Sequence, residues 1–285
     1  MDGKTALITG ATSGIGQATA MGLARLGARV VLVARDAEKG RRTAAEITER
    51  TGNHQVDVLL ADLSSQASVR QLAEEVIGRY PRLDVLVNNA GIILGTRRTT
   101  IDGLEYTFAV NHLAPFLLTN LLLDTLKASA PSRIVIVSSE AQRMGRLNFE
   151  DLQGEAHYSG QAAYNQSKLA NIMFCYALAR RLEGTGVTAT VAHPGLVRTN
   201  FGQENPTRTV RVLIALFKRF MKTPEQGAVT PIHLASSPEV EGATGRYFVN
   251  KRARRSSPRS YDTAATERLW HESERLVGLP VTSEH

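Results

Sequence analysis

Thr5-Ala6-Leu7-Ile8-Thr9-Gly10-Ala11-Thr12-Ser13-Gly14-Ile15-Gly16 opens the chain with a short apolar run that breaks into glycines. A run of this length and composition reads as a buried strand, and residues 16–26 that follow have the spacing of an amphipathic helix. Glycines between a strand and a helix permit a tight turn, close backbone approach to a pyrophosphate, and helix–sheet contact. The helix N-terminus adds partial positive charge. The spacing is Gly-x-x-x-Gly-x-Gly, not Gly-x-Gly-x-x-Gly, and a glycine-rich turn alone is weak evidence. Placed after the first strand of a βαβ unit, it points to a dinucleotide site at Gly10, Thr12, Ser13, Gly14, Ile15 and Gly16.

Working outward, residues 5–9, 29–34, 56–61, 83–88, 133–137 and 187–192 read as buried strands, apolar along their whole length. Amphipathic stretches such as 16–26, 37–50 and 68–79 lie between them. This alternation predicts an α/β doubly wound parallel sheet with helices on both faces, formed by one domain over 1–285. Two stretches break the rhythm: a polar segment at 140–161 and an irregular one between Pro194 and Pro224. Both follow strands, where open parallel sheets bind ligands. Residues 196–224 read as a substrate lid and 251–285 as a C-terminal extension. The run from Val210 to Lys222 mixes apolar side chains with cations, as an interfacial helix does. A lid with its apolar face on the pocket is the favoured reading, because the apolar set is broad enough to pack on protein. Either way the expected substrate is lipophilic, and peripheral membrane contact stays open.

Composition narrows the class. A chain of 285 residues with 42% hydrophobic and 21% charged residues suits a globular protein with a real core. The single cysteine, Cys175, cannot form an internal disulfide, which suggests a reducing compartment and no cysteine-based metal site. No apolar run approaches the roughly 18 residues of a spanning helix. Met1-Asp2-Gly3-Lys4 lacks the regions of a signal peptide, so the expected location is cytoplasmic. The net charge of +7 collects at Lys251, Arg252, Arg254, Arg255 and Arg259 and in a second basic stretch from Arg208 to Lys222. Neither cluster carries an aromatic-interleaved basic face, so solvated loops are expected and nucleic acid is not.

The second strand ends in Val33-Ala34-Arg35-Asp36. A carboxylate at this tip binds the adenosine ribose of NAD, whereas arginine pairs with the 2′-phosphate of NADP. Arg35 therefore favours NADP(H), with NAD(H) retained because Asp36 is acidic and one position late. The plainer reading makes Asp36 a helix N-cap and leaves Arg35 in water. Further on, Tyr164 and Lys168 lie one helical turn apart, so an ammonium beside the phenol favours phenolate. On its own, Tyr-x-x-x-Lys is a weak pattern.

The segments Thr9 to Gly16, Asp62-Leu63, Asn88-Asn89-Ala90-Gly91, Asn111, Ser138-Ser139, Tyr164 with Lys168, and Pro194-Gly195 occur together in one order. In this the chain resembles the short-chain dehydrogenase/reductase family over nearly its whole length. Three further segments look like the retinol dehydrogenase-like branch. They are Asp151-Leu152-Gln153, Ser167-Lys168-Leu169-Ala170-Asn171, and the tail with Leu269-Trp270, Ser273-Glu274 and Leu276-Val277-Gly278-Leu279. The branch's N-terminal membrane anchor is not expected here. The resemblance implies a Rossmann domain that interconverts carbonyl and alcohol with NADP(H). It implies Tyr164 as acid–base, Lys168 lowering the tyrosine pKa and holding the nicotinamide ribose, and Ser139, rather than Ser138, on the developing alkoxide. Asn111 would hold a water, Asp62 and Leu63 would meet the adenine, and Asn89, Ala90 and Gly91 would line the adenosine side. Pro194, Gly195 and Thr199 would meet the nicotinamide end. Homo-oligomers are also implied.

Blander readings exist for each residue. Ser139 could be a turn serine, Asn111 a helix cap, and Tyr164 half-buried core. Leu169, Ile172, Met173 and Tyr176 form a stripe expected in the core, with Cys175 an inert buried thiol and His193 structural. Two rival functions stand beside the NADP(H) reading: an NAD-dependent alcohol dehydrogenase with the same residues, and a non-catalytic dinucleotide-sensing scaffold.

Overall fold

The computed structural model describes residues 1–197 and 221–281. Most of the lid run, and Thr199 with it, therefore lies outside the described residues. Strands β1 (Thr5–Thr9), β2 (Arg29–Ala34), β3 (Val56–Leu60) and β4 (Val85–Asn88) alternate with helices α1 (Gly14–Arg25), α2 (Ala37–Thr51) and α3 (Gln66–Arg79). A helical stretch follows: α4 (Tyr106–Phe108) passes through a π-helical turn at Ala109–Leu113 into α5 (Ala114–Leu121), with α6 (Leu123–Ala128) behind it. Then come β5 (Ser132–Val137), α7 (Gly160–Arg181), β6 (Val187–His193), α8 (Pro224–Ser236), β7 (Arg246–Val249), β8 (Arg252–Arg254) and α9 (Thr263–Val277).

The strands form one sheet in the order β3-β2-β1-β4-β5-β6-β7-β8, parallel from β3 to β7. Ile8 of β1 pairs with Leu32 on one side and Val87 on the other. Side chains alternate across a strand, so two cores form. Leu7, Val31 and Leu86 face the layer of α3, α5 and α7, while Ile8, Leu32 and Val87 face the layer of α1 and α8. After β3 the chain returns to lie beside β1, and the connections that leave β1 and β4 diverge there, to α1 on one face and α5 on the other. That divergence opens the crevice where such sheets bind ligands.

The structure corrects two expectations. Strand β3 is an edge and is not buried throughout, since Leu60 is 52% exposed. The basic cluster at Lys251–Arg259 is not merely loop. Asn250 and Lys251, both at positive φ, turn the chain into β8, which runs antiparallel to β7 at the opposite edge. An edge strand with outward arginines resists pairing with another chain, because bringing two such rows together sets like charges against each other. Helix α7 is also more deeply set than a stripe implies: every residue from Asn165 to Ala179 is buried, Cys175 among them. Among the described residues no helix is long and apolar enough to cross a membrane.

Candidate active site

The glycine turn sits at the crevice. Gly10 and Gly14 take positive φ of 63° and 57°, which glycine adopts without a Cβ penalty. At Gly16 the need is space, because a Cβ there would lie 2.3 Å from the Gly10 carbonyl oxygen and 2.4 Å from Asn89 Nδ2. Ser13 precedes α1 without a side-chain cap, and the first turn of α1 holds no acidic residue. Its leading N–H groups thus face an uncapped, positively polarised helix end, which suits a pyrophosphate. Thr9 and Asn89 lock this turn to β4. The Thr9 hydroxyl accepts from the Asn89 and Ala90 backbone N–H groups at 3.0 and 3.1 Å, and Asn89 Nδ2 donates to the Thr9 carbonyl at 2.9 Å. Thr9 belongs to the quoted motif, yet its bracing role needed the β1–β4 pairing to be seen.

At the tip of β2, Asp36 caps α2 by accepting from the backbone N–H groups of Glu38 and Lys39 at 2.9 and 3.0 Å. The hydrogen bond from Lys39 leads the effects that hold its carboxyl below the usual range. This bears out the capping reading, and the neighbouring Arg35 is exposed. Asp62 is similarly local: its carboxylate accepts from the Ser64 N–H and hydroxyl at 2.9 and 2.7 Å. Leu63 packs on the core.

Strand β5 delivers the serine pair. The Ser138 hydroxyl is buried and donates to the Lys168 carbonyl at 2.8 Å, so it is spent on α7. Ser139 starts a 3₁₀ turn at Glu140–Arg143, accepts from the Ala141 N–H at 3.3 Å, and hydrogen-bonds Tyr164. Gly145 lets this turn lie against α7, since a Cβ there would sit 2.5 Å from the Asn165 carbonyl oxygen. Helix α7 begins at the Ser159 cap with Gly160 under the Leu94 carbonyl, and carries Tyr164 and Lys168 toward Ser139.

Lys168 lies 4% exposed, with its ammonium 3.4 Å from the Val137 carbonyl and 5.5 Å from the centre of the Tyr164 ring. Burial pushes the lysine down to about 8, so the ammonium still prevails at neutral pH. For Tyr164 the direction differs from expectation. Burial raises the phenol above its ordinary value, outweighing the hydrogen bond from Ser139 that lowers it. The cation faces the ring, and the protein's own groups do not bring the phenol down.

Asn111 is neither a cap nor solvent-facing. In the π turn it is fully buried, its Oδ1 accepts from the Ile92 N–H at 2.7 Å, and its Nδ2 donates to the Ile92 carbonyl at 2.9 Å and the Ser167 hydroxyl at 3.0 Å. It therefore ties the loop after Gly91 to α7. Asn171 Nδ2 donates to its backbone carbonyl at 2.9 Å, and Asn171 Oδ1 meets the buried His112 at 3.3 Å. Sequence reading passed over His112 and named Asn171 only within a branch motif, since their partners lie far along the chain.

At the end of β6, Gly195 has φ of 89° and Pro194 is buried. Lys222 lies beside this turn: its N–H donates to the Leu196 carbonyl at 2.8 Å and its ammonium to Asn250 Oδ1 at 2.6 Å. His193 is buried with Nε2 3.8 Å from Glu140 Oε2, its ring stacked on Tyr247. Burial lowers its pKa. Thus the glycine turn, the Asn89 loop, Ser139, Tyr164, Lys168 and Pro194 line one rim of the sheet, while Asn111 buttresses it from beneath.

The sequence pattern of short chain dehydrogenases matches residues 4–209. Human retinol dehydrogenase 14 is 49% identical, over 98% of this chain and 88% of its own, and human retinol dehydrogenase 13 is 44% identical over 99% and 86%. Among solved structures, a Mycobacterium paratuberculosis protein superposes with a TM-score of 0.79 at 34% identity, covering 99% of this chain and 96% of its own. An Escherichia coli short chain dehydrogenase complexed with NADPH gives 0.69 at 28% identity, over 87% of this chain and 96% of its own. The chain belongs to the short-chain dehydrogenase/reductase family, in its retinol dehydrogenase-like branch.

Proposed function

We propose that the protein is a cytoplasmic, NADP(H)-dependent oxidoreductase that interconverts a carbonyl and an alcohol on a lipophilic small molecule. The observation that carries this reading is the convergence of Tyr164, Ser139 and Lys168 beside a glycine cradle too tight for any Cβ at Gly16. The dinucleotide, when bound, supplies or takes the hydride. Gly10 to Gly16 hold its pyrophosphate, and Arg35 meets the 2′-phosphate. Lys168 and the Pro194 backbone hold the nicotinamide half. In the reducing direction Tyr164 gives its proton to the carbonyl oxygen, and a raised phenol pKa keeps that proton in place at neutral pH. The Ser139 hydroxyl, already directed at the phenol, steadies the oxygen as it gains charge. Lys168 supports the tyrosinate left behind, since its ammonium lies at the ring and persists at neutral pH. Capping by Asp36 removes the carboxylate that would favour NAD, which supports NADP(H) over the NAD reading.

The test follows NADPH oxidation against lipophilic aldehydes and ketones, with NADH in parallel. Tyr164→Phe is expected to lower turnover by about 100-fold or more while NADPH affinity stays within a few-fold. Full activity in that variant would refute the acid–base assignment.

A further inference from the structure

Next to Ser139 lies a concavity of about 680 Å³, lined by Glu140, Arg143, Val249, Arg252, Arg254 and Arg255, with Asn250 at its edge. It occupies the carboxyl-end rim of the sheet beyond β5 and β7, away from the glycine turn. Its walls are braced. Buried Gln142 accepts from the Ser257 N–H at 2.8 Å, Arg143 donates to the Arg255 carbonyl at 3.2 Å, and Arg259 donates to the Arg143 carbonyl at 3.4 Å. Glu140 is occupied too: Arg143 pairs with it, and the Tyr247 hydroxyl donates to it at 3.3 Å. Among the described residues, Arg252, Arg254 and Arg255 have no carboxylate within 4.0 Å. Three guanidiniums with no carboxylate partner among the described residues surround one hollow, whose lining acid Glu140 is already paired with Arg143, and they focus a positive field there. Guanidinium is also the group whose planar donors match a carboxylate or phosphate.

We propose that this hollow is an anion subsite that takes the carboxylate or phosphate at the far end of the substrate. The substrate class is then a carbonyl or alcohol compound with an apolar middle and an anionic end. This rests on the oxidoreductase reading, with Glu140 the chain neighbour that links the hollow to Ser139. The basic cluster at residues 251–255 acquires a role beyond protecting an edge.

The experiment compares ω-oxo acids of six, ten and fourteen carbons with their methyl esters, using NADPH and the full chain, in wild type and Arg252→Gln/Arg254→Gln. Calorimetric binding of dodecanedioate to both proteins gives a readout independent of turnover. One chain length is expected to show kcat/KM for the acid at least about tenfold above the ester. That advantage should vanish in the double variant while ester turnover is unchanged, and dodecanedioate binding should weaken in step. Equal rates for acid and ester at every length, with dodecanedioate binding unaffected by the substitutions, would overturn the subsite. So would equal rates combined with arginine-dependent co-sedimentation on phosphatidylserine vesicles, which would assign the patch to a membrane surface. No turnover of any compound, with arginine-dependent dodecanedioate binding intact, would sink the oxidoreductase reading but leave the anion site standing.

Discussion

Arg35 and Asp36 show how one residue's local duty frees its neighbour. Both side chains stand at the tip of β2, where the adenosine ribose of a dinucleotide is read. Asp36 accepts two backbone N–H groups of α2, and turning it toward a ribose would uncap that helix. N-cap removal typically costs about 1 kcal/mol, so the carboxylate is better kept where it is. Arg35 has no comparable local duty and is exposed. Arg35→Ala is therefore expected to weaken NADPH binding about 10- to 100-fold, the range of a charge-assisted hydrogen bond, and NADH by less than about threefold. Parallel titrations of the two cofactors by fluorescence check this, and equal losses would remove the 2′-phosphate contact. The preference for Ser139 over Ser138 came from resemblance alone, and the two hydroxyls do differ in what they meet. Ser138 points into α7 and is consumed by a backbone carbonyl, whereas Ser139 points to the phenol. The raised Tyr164 pKa was not legible, because burial is a property of the packed helix and not of a four-residue spacing.

Among the elements, those announced by an uninterrupted apolar run were legible, and those built by late tertiary contact were not. Strands β1 and β2 fall on their expected residues, and α2 and α3 begin and end within two residues of expectation. Strands β7 and β8 escaped notice because one is only four residues long and the other alternates arginine with alanine. The residues of α9 were noted as a tail motif in a C-terminal extension and not as a helix, and the part it plays in the fold depends on where it docks. Trp270 is 5% exposed and meets the rings of Phe116 at 4.9 Å and Phe174 at 5.9 Å, with the Arg181 guanidinium 4.0 Å above it. Glu267 adds hydrogen bonds from Arg181 and Arg180, the former chiefly responsible for lowering its carboxyl to about 2. Removing the indole leaves a cavity among rings that cannot close on it. Trp270→Ala is expected to destabilise the fold by about 3–5 kcal/mol, measured as a shift in the urea midpoint. A change below about 1 kcal/mol would mean that α9 is held by its ion pairs and not by the aromatic cluster.

Across the whole molecule, helix α9 reaches the buried support of the rim that carries Ser139 and Tyr164 through a histidine. His112 is fully buried, with Nδ1 3.3 Å from Asn171 Oδ1 and Nε2 2.9 Å from the Ser273 hydroxyl of α9. Asn171 uses its amide N–H on the Asn111 carbonyl, so its oxygen must accept from Nδ1–H. In the neutral ring Nε2 is then an acceptor, and the single Ser273 hydroxyl proton lies between it and the Leu269 carbonyl, 2.7 Å from the same oxygen. Phe108, Phe116 and Phe174 surround the ring. Burial, only partly opposed by the Asn171 hydrogen bond, lowers its pKa from 6.5 to about 4. The unfolded chain therefore binds this proton first on acidification. The stability that the neutral ring confers is whole above pH 6.5 and is lost progressively as the pH falls toward about 4. Between pH 7.5 and 4.5 that loss amounts to about 2.5 kcal/mol. His112→Gln keeps a polar side chain that does not titrate, so its unfolding free energy should fall by about 2.5 kcal/mol less than wild type over the same interval. Urea denaturation at the two pH values measures the difference directly. Parallel pH dependence in the two proteins would show that His112 takes up its proton in the fold as readily as in the unfolded chain, and would remove the buried neutral ring from the link between α9 and Asn111.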